Sequence, residues 1–396
     1  MNATRGFSRA LLALATTVMV AACGGGPKDA TKTPQAETTL PPANPQAVAK
    51  MVQGVQAAKD GSLRARAIVL LKEAVQLDPM LWEAKYDLGV VLAGAGDLAG
   101  AEDQLKAAAK IAKDTPEVAV ALAEVRRRRG EHKEAADGLE DFVKNHPNAV
   151  EARTLYVASL RDSGQVERAI KEAREVLVRR PGDASALAEL ALCHLAKGER
   201  DTAALLARQA LDSNPRSAIA ERATGLILLS QGDDAAAFQA FTKATQEDTR
   251  DTTARLNMGG VLLRAGAYAK AAEQFRAILH VSPDDASAQV GLAAALRGEA
   301  EAKGPKLEEA RQLLEKVLEK DPHNVSALYN LGILYADFLK RPADAKSYFS
   351  RFLSDAPSDH PARSEAERYM NAVSAAAPKP AAKPAEKRPE KKGGGA

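Results

Sequence analysis

Apolar and small side chains recur at three- and four-residue intervals through most of the chain, with polar residues between them. This spacing places the apolar side chains on one face of an α-helix. Residues 254–283 contain two such segments in succession. Their apolar or small positions are Leu256, Gly259, Gly260 and Leu263, followed by Ala271, Phe275, Ile278 and Leu279. The pattern predicts pairs of short amphipathic helices joined by tight turns.

The helix pairs repeat with a period of 34 residues. Proline marks this grid at Pro79, Pro147, Pro181, Pro215 and Pro283, with Lys113 and Thr249 in its two vacant places. Two other series keep the same register: Gly96, Gly130, Gly164, Gly198, Gly232 and Gly266, and Ala101, Ala135, Ala169, Ala203, Ala237 and Ala271. Glycine tolerates the left-handed conformation that ends a first helix, alanine allows the second helix to approach closely, and proline stops it. The sequence therefore predicts an array of helical hairpins.

Three segments resemble the tetratricopeptide repeat (TPR) family: WEAKYDLGVVLAGAGDLAGAEDQLKAAAKIAK at 82–113, ARLNMGGVLLRAGAYAKAAEQFRAILHVSP at 254–283, and NVSALYNLGILYADFLKRPADAKSYFSRFLSDAP at 324–357. The resemblance implies an all-α, right-handed solenoid whose first helices line a concave groove for protein partners. We expect about nine repeats over residues 48–360, starting near Val48, Trp82, Pro116, Val150, Ala184, Ala218, Thr252, Ala286 and Val325, and then a closing helix at 361–377. Extra residues at 297–306 predict a longer turn there, which we favour over a contact loop.

Residues 1–22 have the layout of a secretory signal peptide. Two arginines precede a run of apolar and small residues at 10–22, and this run is too short for a membrane span. The tetrad at 20–23 resembles the bacterial lipobox, which implies that Cys23 is lipidated and becomes the first mature residue. Gly24 follows it, and the resemblance then implies the periplasmic face of the outer membrane. A linker at 23–47 would tether the solenoid to the lipid.

Charge is unevenly distributed along the chain. The signal segment carries two arginines and no acid, and the proline-rich tail at 378–396 carries six cations and two acids. The overall charge of +3 therefore corresponds to −3 for residues 23–377. A mildly acidic body gives no electrostatic footprint for nucleic acid. Weak contact of the basic tail with peptidoglycan is one interpretation, and a solvated terminus is the other.

The inventory of reactive residues argues against catalysis. The six histidines are scattered over different repeats, and no hydrolase, zinc-protease or Cys-x-x-Cys motif is present. The glycine-rich stretch at 92–100 lies on a turn between helices and lacks phosphate-loop spacing. Cys193 is interpreted as a small buried hydrophobe rather than a reactive thiol. We expect no enzyme activity, no catalytic residue, no metal and no cofactor.

The family resemblance assigns partner binding to outward positions of the first helices. The candidate residues are Tyr86, Asp87, Glu124, Arg127, Arg128, Arg161, Arg222, Asn257, Tyr329 and Asn330, and the same register also holds Leu155, Asp162, Glu189, Arg264, Arg297 and Asp337. The run of four arginines at 126–129 is either a basic patch or a set of cations that favour a helix C-terminus and are neutralised by nearby glutamates. The second interpretation is the plainer one.

These features favour a lipid-anchored TPR scaffold that binds protein partners in the bacterial cell envelope. TPR lipoproteins with this layout resemble components of gliding-motility and type IV pilus machineries, and a gliding-motility complex is the specific hypothesis. A pilotin-like factor that escorts a secretin or another outer-membrane pore is one alternative. A module that binds peptidoglycan or polysaccharide during glycan export is another.

Overall fold

The structure is a computed structural model that describes residues 42–300 and 304–376. Within these ranges the chain is helical and contains no strand. The lipidation candidate Cys23, most of the linker, residues 301–303 of the longer turn and the basic tail lie outside the described residues. No helix in the described ranges has the length and apolar composition needed to cross a membrane.

Nine helix pairs follow one another, and a last helix follows them. The first helices are α1 (Pro45–Ala58), α3 (Trp82–Gly94), α5 (Pro116–Arg128), α7 (Val150–Asp162), α9 (Ala184–Ala196), α11 (Ala218–Ser230), α13 (Thr252–Arg264), α15 (Ala286–Glu299) and α17 (Val325–Ile333). The second helices are α2 (Arg64–Leu77), α4 (Leu98–Ile111), α6 (His132–Asn145), α8 (Val166–Arg179), α10 (Arg200–Ser213), α12 (Asp234–Glu247), α14 (Tyr268–Val281), α16 (Pro305–Lys320) and α18 (Pro342–Asp355), and the last helix is α19 (Arg363–Ala376). The predicted helical-repeat fold is confirmed.

Eight of the nine first helices begin at the residue that the repeat grid predicts, and the exception is the first. Helix α1 begins at Pro45, three residues before the predicted Val48. Asn44 is its N-cap, and its side-chain oxygen accepts a hydrogen bond from the Gln46 amide at 2.9 Å. Proline at the first helical position and an asparagine cap stabilise an earlier start.

The helices belong to two compact bodies. The first body comprises the residues up to Val261 together with Ala277–Asp284, and the second comprises Leu262–Arg276 and the residues from Asp285 onward. In each body a first helix packs on the second helix of its own repeat and on the next repeat. Because adjacent helices are joined by short turns, neighbouring helices run antiparallel.

The glycine series ends the first helices as predicted. All six glycines of that series have positive φ, between 70° and 88°. The ninth repeat differs: a π-helical segment, Leu334–Phe338, follows α17, and the positive φ of 55° falls on Lys340. A π-turn inserts one residue, which moves the turn one place along the repeat.

Small residues allow the paired helices to approach closely. Every member of the alanine series from Ala101 to Ala271 is fully buried. On the opposing first helices, glycine faces a large side chain: a Cβ atom at Gly225 would lie 2.5 Å from the ring of Phe241. The core is therefore a layer of small side chains with a few aromatic and leucine side chains inserted between them.

Candidate interaction surface

A ladder of charged side chains links the third, fourth and fifth repeats in the first body. Arg127 donates a hydrogen bond to Oδ2 of Asp162 at 2.6 Å. Arg161 donates to Oδ1 of the same aspartate at 3.0 Å and to Oε2 of Glu189 at 2.7 Å. Burial disfavours the charge on Arg161, but Glu189 and Asp162 raise its pKa above the ordinary value. These arginines therefore contribute to contacts between repeats as well as to the surface.

Glu189 is the buried end of this ladder. It is only 2 % exposed, so the sequence prediction of an outward position was wrong for this residue. The reason is its place in the repeat, since the sixth residue of a first helix faces the first helix of the preceding repeat, where Arg161 covers it.

Arg128 is exposed and makes its contacts within the first body. Its Nη1 atom donates to the carbonyl oxygen of Ala93 at 2.9 Å, and its Nη2 atom donates to Oγ of Ser282 at 3.0 Å. Ser282 is 154 residues away along the chain. Arg128 thus holds the end of α5 against α3 and against the segment that follows α14.

The other two arginines of the run at 126–129 point to a different partner. Arg126 donates to Oε1 of Glu102 at 3.0 Å, and Arg129 donates to Oε2 of the same carboxylate at 2.5 Å. Glu102 lies on α4 and is buried. The run is accordingly shared among acids and carbonyl groups of the protein, as the plainer sequence interpretation held, although Glu102 was not among the acids it named.

Arg222 and Asn257 also lie in the first body and are half-buried. Arg222 donates to Oδ2 of Asp251 at 2.8 Å, and Asp251 is the buried residue that caps α13. Asn257 donates to the carbonyl oxygen of Thr253, one turn earlier, at 2.8 Å. Both side chains are partly satisfied by the protein itself.

Tyr329 and Asn330 belong to the second body. The Tyr329 hydroxyl donates to Oε2 of Glu365 at 2.6 Å, and burial raises its pKa above the ordinary value. Asn330 accepts a hydrogen bond from Arg297 at 3.0 Å. The predicted site residues therefore do not all lie together, because eight of them are in the first body and these two are in the second.

Asp87 is buried, which corrects the sequence prediction that it points outward. It is 7 % exposed, and no described residue forms a hydrogen bond or an ion pair with it. Burial, together with the nearby charge of Glu83, raises the pKa of its carboxyl group to about 7. Asp87 occupies the same place in its repeat as Glu189, and this place faces the preceding first helix.

The neighbouring Tyr86 is half-buried and surrounded by acids. Burial raises the pKa of its hydroxyl to about 12, with contributions from the negative charges of Asp87, Glu117, Glu124 and Glu151. These acids come from three successive first helices, α3, α5 and α7.

Glu124 lies at the centre of these acids. Its side chain is exposed, but protein surrounds it closely enough that burial, with the charges of Glu151 and Asp248, raises its pKa. Arg127 and Arg128 act in the opposite direction. We call the surface formed by Glu83, Asp87, Glu117, Glu124, Glu151 and Asp248 around Tyr86 the acidic cleft.

Sequence reasoning identified Tyr86, Asp87 and Glu124 but missed the other four members. A signal was present: Glu83, Glu117 and Glu151 are 34 residues apart, at the second position of three successive first helices. Asp248 gave no such signal, because it follows α12 and approaches Glu124 only through the folding of the first body.

The remaining reactive groups give no sign of catalytic or metal chemistry in the described part of the chain. Cys193 is fully buried, and burial raises the pKa of its thiol to about 12, so the thiolate that reacts or binds metal is disfavoured. No group of three or more His, Cys, Asp or Glu side chains in the described ranges is arranged to hold a metal ion.

Family models described as tetratricopeptide repeat match the chain at residues 120–184, 157–207 and 189–252, and at 64–125, 228–296 and 305–364. These matches cover most of the chain, which therefore belongs to the tetratricopeptide repeat family. Proteins of this family generally bind protein partners and are typically scaffolds without enzyme activity. A comparison with curated proteins found no match.

Several solved TPR structures are similar to this chain. PilF of Pseudomonas aeruginosa has a TM-score of 0.47 at 23% identity, over 58% of this chain and 99% of PilF. A TPR protein of Parabacteroides merdae has a TM-score of 0.40 at 17% identity, over 65% of this chain and 98% of its own. MamA of Desulfovibrio magneticus has a TM-score of 0.39 at 20% identity, over 45% of this chain and 97% of its own.

Proposed function

We propose that this protein is a non-enzymatic adaptor of the bacterial cell envelope, held by a lipid on Cys23 at the periplasmic face of the outer membrane. Its first-helix surface binds a protein partner. The observation that carries the proposal is the acidic cleft, where four exposed or half-exposed glutamates on three neighbouring helices have no ion-pair partner among the described residues. Ion pairs elsewhere on these helices stabilise the fold, and these glutamates remain available for binding.

Site-specific crosslinking in cells tests partner binding. A photoreactive amino acid replaces Tyr86, on the acidic cleft, or the exposed Val178, on the outer surface of α8, as the matched control. An adaptor yields a defined crosslinked protein from position 86 and none from position 178. Equal labelling from both positions, or none from either, would contradict the proposal.

The lipid anchor is tested separately. Removal of the acyl acceptor in Cys23→Ser should release the protein from the outer-membrane fraction, because acyl chains contribute about 0.8 kcal/mol per buried methylene to membrane binding. Persistence of the variant in that fraction after a high-salt wash would refute the assignment.

The machinery that the adaptor serves is the finest part of the proposal. We place it in a gliding-motility complex, and deletion of the gene should then abolish motility while outer-membrane pores still assemble. Mislocalised secretin in the deletion strain would instead support the pilotin-like role. Loss of exported polysaccharide, with binding of purified protein to peptidoglycan or polysaccharide at physiological salt, would support the glycan role.

A further inference from the structure

The acidic cleft has a repeating arrangement that the fold itself produces. Glu83, Glu117 and Glu151 occupy the same position on α3, α5 and α7, so the stacking of the repeats brings them into a row. Glu117 and Glu151 are exposed, and Glu83 is half-exposed. Neighbouring packed helices are about 8–10 Å apart, which sets the approximate spacing of the row.

Two further carboxylates converge on this row from other directions. Glu124 lies two turns along α5 from Glu117, and Asp248 comes from the segment after α12. Their like charges act on one another, as the raised pKa of Glu124 shows. Of the cations that act on Glu124, Arg127 is bound to Asp162, and Arg128 is bound to Ala93 and Ser282. The cleft therefore keeps an excess of negative charge.

The buried carboxyl of Asp87 is the observation that gives the cleft a ligand. At the same place in other repeats, Glu189 receives Arg161 at 2.7 Å and Asn330 receives Arg297 at 3.0 Å. Each of those arginines is the twelfth residue of the preceding first helix. Asp87 has a carboxylate in the same place but no arginine to receive.

The helix that precedes Asp87 supplies no substitute cation. Helix α1 contains no arginine, and its one lysine, Lys50, pairs with Glu73 at 2.6 Å. Lys59, which follows α1, is exposed and has no printed contact with Asp87 among the described residues. Burying a carboxylate without a partner is costly, and the charge-paired repeats show which group fits the place.

Resting on the proposed adaptor function, we propose that the acidic cleft binds an extended polypeptide segment of the partner that carries lysine or arginine side chains. One cation enters the place beside Asp87 and completes the pair that the other repeats form internally. Further cations lie against Glu117, Glu124 and Glu151. The cation here comes from the partner, whereas Arg161 and Arg297 come from the chain itself.

The spacing of the row favours a polypeptide with regularly placed cations. An extended chain advances about 3.3 Å per residue, so a cation at every third residue recurs every 10 Å or so, close to the helix spacing. A metal ion needs several carboxylates on one point, and no such group occurs in the described ranges. The geometry therefore matches a charged strand of protein rather than an inorganic cation.

Peptide binding to the detergent-solubilised full-length protein tests this inference by fluorescence anisotropy. The probes are labelled 12-residue peptides with lysine or glutamate at every third position and alanine elsewhere. The lysine peptide should bind at least tenfold more tightly than the glutamate peptide, and more weakly as salt is raised. Equal binding of the two peptides, or no binding of either, would overturn the inference.

Variants locate the binding. Asp87→Asn and the double variant Glu117→Gln/Glu151→Gln should each weaken binding of the lysine peptide by about tenfold. Asp103→Asn, an exposed acid on the second helix α4 of the same repeat as Asp87, should leave it unchanged. Equal affinity of all variants would refute the assignment to the cleft. Folding is checked by unfolding curves, since Asp87→Asn is expected to stabilise the protein while it loses affinity, which a purely structural role does not produce.

The chain's own basic tail is a competing occupant. Lys379, Lys383, Lys387 and Lys391 recur at every fourth residue of the segment 378–396. If a peptide of that sequence binds more tightly than the lysine probe, and its deletion from the full chain increases affinity for the probe, the occupant is the tail and the partner assignment is wrong. Crosslinking of a partner from position 86 without charge discrimination among peptides would likewise reject this inference and leave the adaptor function standing.

Discussion

At the scale of single residues, the balance between paired and unpaired charge separates stabilising side chains from those available to a ligand. The arginine run was visible in the sequence, but its main partner, Glu102, lies 24 residues from Arg126 on another helix. Spacing within one helix predicts exposure only approximately, because the neighbouring repeat decides which side chains are covered. That is why Asp87 and Glu189 were expected to be exposed and are buried.

Asp87→Asn should stabilise the protein at alkaline pH. The folded pKa is about 7 and the ordinary value is 3.8, so the unfolded chain loses its proton first. Stability is therefore lost as pH rises from about 4 to about 7, and no penalty exists below about pH 4. The shift corresponds to an upper value of about 4 kcal/mol at pH 8. Urea unfolding at pH 8 and pH 4 measures it, with Asp103→Asn as control, and an equal gain at both pH values would contradict the assignment.

At the scale of helices, the sequence predicted the turns well because they depend on local chemistry. Glycine is needed at positive φ, and all six glycines of the series adopt it. The ninth repeat shows the limit: nothing in residues 325–341 signals the π-turn that shifts the left-handed residue to Lys340. Insertions of one residue inside a helix depend on packing against neighbours, which the local pattern does not encode.

Gly225→Ala should destabilise the sixth repeat. Alanine favours a helix by up to about 1 kcal/mol over glycine, but its Cβ would lie 2.5 Å from the ring of the fully buried Phe241. Overpacking costs about 1–3 kcal/mol, so a net loss is expected. Gly94→Ala is the matched control, because no atom lies within 4 Å of its Cβ position and a small gain is expected. Recovery of stability in Gly225→Ala/Phe241→Leu would confirm the clash, and a more stable single variant would refute it.

At the scale of the whole molecule, stability arises mainly from contacts between neighbouring repeats. In such arrays the free energy is approximately a sum of repeat and interface contributions, so a local defect stays local. The ladder from Arg127 to Glu189 crosses two interfaces within the first body. It couples the third repeat to the fifth, whereas the first repeat lies beyond it.

Arg161→Met should therefore loosen the fourth and fifth repeats while sparing the first. The change leaves the buried Glu189 carboxylate without its partner, which costs about 3–5 kcal/mol locally. Amide hydrogen exchange should accelerate in α7–α10 and remain unchanged in α1 and α2. Arg161→Met/Glu189→Leu should restore protection, and Arg168→Met, whose side chain is about half exposed, should have little effect. Uniformly faster exchange throughout the first body would show instead that these repeats unfold as one cooperative unit rather than as neighbours joined at interfaces.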